Sequence, residues 1–383
     1  MNSSIKIAIV HDYLREYGGA ERVLEALHEL FPQAPIYTAF VDRRSLGMHW
    51  VKFKDWQIHE TWLAKIPGFK KLFSPLRFLA PHAFKDLDLS NFDIVISSSN
   101  AYFAKAVRVP NGQHFCYCHT PPRALYGYTT MSNWKNNPVI RIGGEIINHY
   151  LRVIDFKVAQ GVDVFIANSV ETARRIKKFY RRDSFVIFPP VGLKKADNKI
   201  IAKPIQIDQR EYFLYVNRLA LAKHPEMAVE ACLVSGLSLK VVGSGPMLIG
   251  LKNQVSAWQI EHPNSLVKIE FLGAVSDEKL QSLYSGAKAL IYPVEDEDFG
   301  MVPVEAMMAG TPVIAHNSGG PKETILPGVT GILFDQLSVK ALIAAIELWK
   351  KSRFNSEKIQ AAAAKFSYAE FERAILKLIQ VKK

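Results

Sequence analysis

Two glutamates, Glu297 and Glu305, stand with seven residues between them in the stretch 289–312, ALIYPVEDEDFGMVPVEAMMAGTP. Ionised carboxylates can hold sugar hydroxyls by charge-assisted hydrogen bonds. The residues around them read as strand, loop and helix. Residues 289–294 form a short apolar run bounded by turn residues, the pattern of a buried strand. The acidic loop 295–298 and Phe299-Gly300 follow. A helix begins near Met301, with Pro303 tolerated in its first turn and Gly310 placed to end it. A second short strand over 312–315 comes next. A glycine-bearing loop entering a helix directs free N–H groups and the helix dipole at one spot, which suits a phosphate. Gly300, Met301 and Val302 are placed to offer such amides. The plainer reading is a solvated acidic loop and a first-turn glutamate favoured by the dipole.

Further candidates lie at the ends of other apolar runs. Asn217-Arg218 and Lys223 follow a strand over 212–216. Arginine brings a planar fork and lysine a point charge, a pair suited to a diphosphate, with ordinary surface charge as the alternative. Gly18-Gly19 separate a strand over 5–11 from a helix over 20–31, where backbone can approach a ligand closely or simply pack. His119 follows a strand over 113–118, at the end where open α/β sheets bind ligands. A polar end-cap is its plain alternative.

Taken together, these segments resemble the retaining glycosyltransferases of family 4, which have the GT-B fold. The resemblance rests on Glu297-x7-Glu305 with Phe299-Gly300 and the AGTP of 309–312, on GGAER over 18–22, and on HTP over 119–121. Arg218-x4-Lys223, the GSGP of 243–246, and SGGP over 318–321 with Glu323 add to it. It covers almost the whole chain. It implies an α/β protein of two doubly wound, Rossmann-like parallel-sheet domains facing an interdomain cleft. The expected limits are 1–190 for the acceptor side, with a C-terminal helix in 366–383 packing back, and 191–365 for the donor side. Implied roles are catalytic for His119 (at the transferred sugar), Arg218 and Lys223 (on the diphosphate) and Glu297 (on sugar hydroxyls). Gly18, Gly19, Asn217, Phe299, Gly300, Met301, Val302 and Glu305 would bind the donor, Glu305 through the ribose. Asn217 stands where the family usually carries glycine. Arg123 is a further candidate for phosphate or acceptor. The substrates implied are a nucleotide diphosphate sugar and a saccharide or lipid-linked acceptor, with no cofactor and no metal. GGAERVLEAL and CHTPPR look most like bacterial polysaccharide and lipopolysaccharide mannosyltransferases that use GDP-mannose. The DED of 296–298 imitates a metal-binding element, but the two cations already supply the charge a metal would bring.

The remaining composition bounds these readings. A chain of 383 residues, 49% hydrophobic, has ample core for about two domains. Nothing approaches ~20 consecutive apolar residues, so no membrane span is expected. The N-terminal stretch lacks signal-peptide shape. Three cysteines give no disulfide framework and suggest a reducing cytoplasm. The net charge of +12 asks for an anionic partner; no nucleic-acid module is visible. Residues 62–84, rich in large apolar and basic residues without an acid, fit a membrane interface or two core-facing helices with solvated lysines. The basic helix end over 174–182 fits an anionic lipid surface or a solvated terminus that complements the helix dipole. A lysine-rich linker over 194–203 should join the halves. Two other functions share these features: a sugar-nucleotide epimerase of the same fold, and a non-catalytic sugar-nucleotide binder.

Overall fold

The computed structural model of the protein describes residues 5–128, 138–192 and 207–381, so the linker expected over 194–203 lies outside the described residues. The chain divides into two compact units, 1–190 with 371–383, and 191–370. The return to the first unit thus starts at Phe371 rather than 366. Phe366 is held by the second unit, where its carbonyl accepts from Val191 N at 2.9 Å and its ring meets Phe299 edge-on.

The first unit is built on seven strands: β1 (Ile7–His11), β2 (Ile36–Thr38), β3 (Ile58–Glu60), β4 (Ile94–Ser99), β5 (Gln113–Cys118), β6 (Val164–Ala167) and β7 (Ser184–Val186). All pair in parallel, in the order β3-β2-β1-β4-β5-β6-β7. The order reverses between β1 and β4, and the central strands are buried on both faces, as a doubly wound sheet requires. Cys116 and Cys118 are free and buried, small strand residues in the core, and Cys232 in the other unit is likewise free and buried.

Residues 62–84 do not form two helices. Gly68 (φ +75°), Pro75 and Pro81 break the stretch into short helical turns, Trp62–Lys65, Phe69–Leu72, Pro75–Leu79 and Ala80–Lys85. Leu63, Phe69, Ala80, Ala83 and Phe84 enter the core. The cations are not simply solvated: Lys70 Nζ donates to the Val41 carbonyl at 2.6 Å, and Arg77 donates to Asn148 Oδ1. A long helix spans Pro138–Gln160. Under it, Lys105 and Asp155 form an ion pair at 2.6 Å, with side chains 1% and 0% exposed. Burial pulls the Lys105 pKa down, but the Asp155 carboxylate outweighs it and holds the ammonium above its ordinary range.

The second unit carries six parallel strands: β8 (Tyr212–Val216), β9 (Leu239–Val242), β10 (Ile269–Gly273), β11 (Ala287–Tyr292), β12 (Val313–His316) and β13 (Gly331–Phe334), ordered β10-β9-β8-β11-β12-β13. The reversal falls between β8 and β11. Apolar residues of the covering helices Pro225–Val234 and Val339–Lys351 pack on one face of this sheet, together with Ala289, Ile291 and Ile314. On the other face, Leu214, Leu290 and Val313 meet Ala306 and Met307 of the helix Met301–Met308. β13 and the helix Val339–Lys351 complete an alternation that sequence reasoning followed only as far as 315.

Candidate functional site

Most of the candidate donor residues converge at the C-terminal ends of β8 and β11, the two strands at which the second sheet reverses. Ligands bind at such reversals because helices on opposite faces leave a crevice there. Lys223 ends a single helical turn, Leu221–Lys223, whose position is fixed by Tyr215: its hydroxyl donates to the Lys223 carbonyl at 2.9 Å. Lys223 Nζ in turn donates to Glu297 Oε2, and Tyr292 OH donates to the same oxygen at 3.0 Å. The ion pair is mostly buried, with side chains 12% and 16% exposed. Burial, then the Glu297 charge, holds the Tyr292 phenol well above its ordinary pKa, so it stays a donor. Lys223, expected on the diphosphate, and Glu297, expected on sugar hydroxyls, thus form one local unit. Arg218 is exposed at the end of β8, one residue beyond Asn217.

Two glycine turns shape this crevice. A Cβ on Gly243 would lie 1.9 Å from the Asn217 carbonyl oxygen, and one on Gly245 2.3 Å from that of Leu219. The 243–246 turn is thus wound directly against the 217–219 loop, tied by Leu219 N donating to the Ser244 carbonyl at 2.9 Å. Asn217, standing where glycine is usual, turns its Oδ1 to the Arg218 amide at 2.9 Å. On the other side, Cβ atoms on Gly319 and Gly320 would meet the carbonyls of Glu297 and Phe299 at 2.1 and 2.0 Å. Gly320 N donates to the Glu297 carbonyl at 2.8 Å, and Ser318 Oγ accepts from Asp296 N at 2.8 Å. The SGGP loop is a clamp on the acidic loop, a role the sequence did not disclose.

The helix Met301–Met308 begins at Gly300, whose φ of +82° is the left-handed region that favours glycine, and no side chain caps it. Met301 and Val302 form its first turn, Phe299 is buried just before it, and Glu305 is 5% exposed, accepting from Tyr284 OH at 2.7 Å. Among the described residues no group of three or more His, Cys, Asp or Glu is arranged to hold a metal ion.

The remaining candidates lie in the first unit. Gly18 precedes the helix Gly19–Leu30 in extended backbone (φ −144°), and a Cβ there would meet nothing nearer than Glu21 Oε2 at 3.5 Å. Packing within the unit does not demand glycine at that position. Glu21 Oε2 accepts from Gly18 N at 2.8 Å. His119 extends the β4–β5 ladder, its N–H donating to the Ser99 carbonyl at 2.9 Å, and it is 7% exposed. Burial, with the neighbouring His11 adding to it, pushes its imidazole down to about 3, so it is neutral at ordinary pH. Arg123 lies with its guanidinium 5.9 Å from the centre of the Tyr128 ring. Asp12 went unremarked in the sequence, yet its carboxylate accepts from the amides of Asn100, Tyr102 and Ala104 at 2.8–2.9 Å and pins the loop after β4.

Two doubly wound parallel units, with cations and an uncapped helix start at a sheet reversal, define a GT-B glycosyltransferase. Solved structures share that fold: the lipopolysaccharide outer core galactosyltransferase WaaB (TM-score 0.69, 18% identity, 99% of this chain and 100% of that one). Anabaena HepE in complex with UDP and glucose is comparable (TM-score 0.67, 17% identity, 98% and 100%). Residues 197–366 match the family described as glycosyl transferases group 1. Alpha-1,3/1,6-mannosyltransferase ALG2 of Dictyostelium discoideum is 27% identical over 70% of either chain. The protein carries a glycosyl transferases group 1 domain in its second half and is similar over most of its length to alpha-1,3/1,6-mannosyltransferases.

Proposed function

We propose that the protein transfers mannose, with retention and without a metal, from GDP-mannose to a saccharide or lipid-linked acceptor. The observation that carries this reading is the Lys223–Glu297 pair beside Arg218 and the uncapped start of Met301–Met308. Lys223 and Arg218 neutralise the charge that develops on the departing diphosphate, as a metal does elsewhere. The Met301 and Val302 amides meet phosphate or sugar oxygens. Glu297, pre-set by Tyr292 and Lys223, takes sugar hydroxyls, and Glu305 serves the ribose. In the transfer, the bond from the anomeric carbon to phosphate oxygen breaks and the bond to the acceptor oxygen forms on the same face. The acceptor's proton goes to the leaving phosphate. His119 and the Gly18-Gly19 backbone attend the sugar. Mannose is favoured by the relatives' names, and a sugar nucleotide by the UDP and glucose held in the HepE structure.

A lipid-linked acceptor would place the enzyme at a membrane surface. No helix among the described residues is long and apolar enough to cross one. The helix Pro138–Gln160 supplies such a surface. Ile142, Ile146, Tyr150, Val153 and Phe156 form one stripe along it, 37–66% exposed. Arg141, Arg152 and Lys157 are exposed on the same helix. A stripe so flanked fits an anionic lipid surface, where each cation contributes about 1 kcal/mol. Pairing with a second copy would set like charges against each other.

Thermal shift should rank GDP above UDP, ADP and dTDP, and GDP-mannose with a lipid-linked acceptor should yield an α-linked product. Conversion of the donor without acceptor would turn the reading to an epimerase. Sedimentation with vesicles containing phosphatidylglycerol should retain the protein, and Ile146→Asp with Val153→Asp should release it. Unchanged sedimentation, or loss of a dimer in the same variant, removes the membrane surface.

A further inference from the structure

A chain of buried polar side chains runs across the ends of three strands in the first unit. Glu21 Oε1 lies 3.5 Å from His11 Nε2. His11 Nδ1 lies 3.1 Å from Ser98 Oγ, and Ser98 Oγ lies 2.8 Å from His119 Nε2. His11 ends β1, Ser98 is the penultimate residue of β4, and His119 follows β5, so the parallel register sets all three side by side. The members are 6%, 2%, 0% and 7% exposed, in order from Glu21. At its other end Glu21 holds the Gly18 amide at 2.8 Å. The chain thus links Gly18 of the glycine loop to the histidine, two features the sequence presents 101 residues apart.

Hydrogen bonding in such a chain has a direction. The Ser98 hydroxyl has one proton to give, so between two imidazoles it donates to one and accepts from the other. The Glu21 carboxylate is acceptor-only, and His11 Nε2 makes no hydrogen bond among the described residues. A single His11 ring proton is therefore drawn to Nε2, facing Glu21. That leaves His11 Nδ1 bare, so Ser98 donates to it and must accept the proton on His119 Nε2. His119 then presents its Nδ1 lone pair.

We propose that Glu21, acting through His11 and Ser98, is the positioning residue that sets His119 in the Nε2–H tautomer, so that its Nδ1 accepts a hydrogen bond from a hydroxyl of the transferred sugar. The sugar contact rests on the transferase reading above; the tautomer does not. His119 is kept neutral by its burial, so the tautomer, rather than charge, decides whether it accepts or donates. Glu21, His11 and Ser98 touch no substrate.

The Glu21→Gln variant tests the direction. Its amide oxygen keeps the Gly18 N–H, and its NH2 then faces His11 Nε2 as a donor, which reverses every bond in the chain while preserving its shape. Nitrogen-15 spectra of imidazole-labelled protein at pH 8, without substrate, should show His119 protonated at Nε2 in the wild type and at Nδ1 in Glu21→Gln. With GDP-mannose, the variant should lose about 10- to 100-fold in kcat, with the KM for acceptor unchanged and the fold intact by circular dichroism. Ser98→Ala, which cuts the chain, should lose a similar factor, and Ser98→Thr, which retains a hydroxyl, should recover most of it. A wild-type His119 protonated at Nδ1, or the same tautomer in Glu21→Gln, overturns the proposal even if the enzyme transfers mannose. The expected tautomers with no transfer of mannose would instead fault the donor assignment alone.

Discussion

Lys223 and Glu297 neutralise each other across a nearly dry contact. Removing either partner strands the other, which costs more than deleting both. Lys223→Ala should lower kcat/KM about 100- to 1,000-fold, because one donor to the developing charge is lost. Glu297→Ala should do the same, and the double variant should be no worse than either single one. Steady-state kinetics on the three variants checks this, and additive losses would mean that the pair does not act as a unit. A second residue-scale effect concerns pH. His114, bonded through Nε2 to Ser97 at 2.8 Å, is pushed down to about 4 by burial, and His119 to about 3. Unfolded imidazoles titrate near ~6.5, so between there and these folded values the unfolded chain binds more protons. Stability is therefore complete above that range and falls as pH drops, by a few kcal/mol between about pH 7 and 5. Urea midpoints at the two pH values measure it, and His114→Gln should remove roughly half the difference.

At the scale of elements, loops gripping loops hold the site. The SGGP turn touches the acidic loop so closely that Gly320→Ala must push the backbone at Phe299 away. We expect a loss of about 2 kcal/mol or more in urea denaturation, with kcat/KM falling about 10-fold. Gly250→Ala, in the helix Leu248–Glu261 with open space around it, should instead stabilise by about 0.4–1 kcal/mol. The same scale shows what could be read beforehand. The apolar run 212–216 announced its strand because a central strand buried on both faces reads as a continuous apolar stretch. The E-x7-E segment announced its own strand, loop and helix. Residues 62–84 form short turns rather than two helices because Gly68, Pro75 and Pro81 interrupt them, while Phe69 and Phe84 meet the core as one of the two readings expected. The acid–imidazole chain was invisible for a different reason. His11 and Ser98 are 87 residues apart, and only the parallel pairing of β1 with β4 makes them neighbours.

At the scale of the whole molecule, each unit has its own sheet, its own reversal and its own apolar cores. The charges divide between the units: the cations Arg218 and Lys223, proposed for the diphosphate, lie in the second unit, and the neutral His119 with its buried chain in the first. On that proposal a nucleotide without its sugar has its partners in the second unit. At about 100-fold excess over its dissociation constant, GDP should stabilise the state that binds it by about 2.7 kcal/mol. Hydrogen exchange followed by mass spectrometry should show that gain as slower exchange in segments 216–223, 296–302 and 318–320. These carry the β8 and β11 ends and the clamp between them. The Lys223→Ala variant should lose the protection in all three segments together, since the ion pair and the clamp tie them into one crevice. Protection centred on residues 11–21 and 98–119 instead would place the diphosphate on the first unit and reverse the assignment of the two halves.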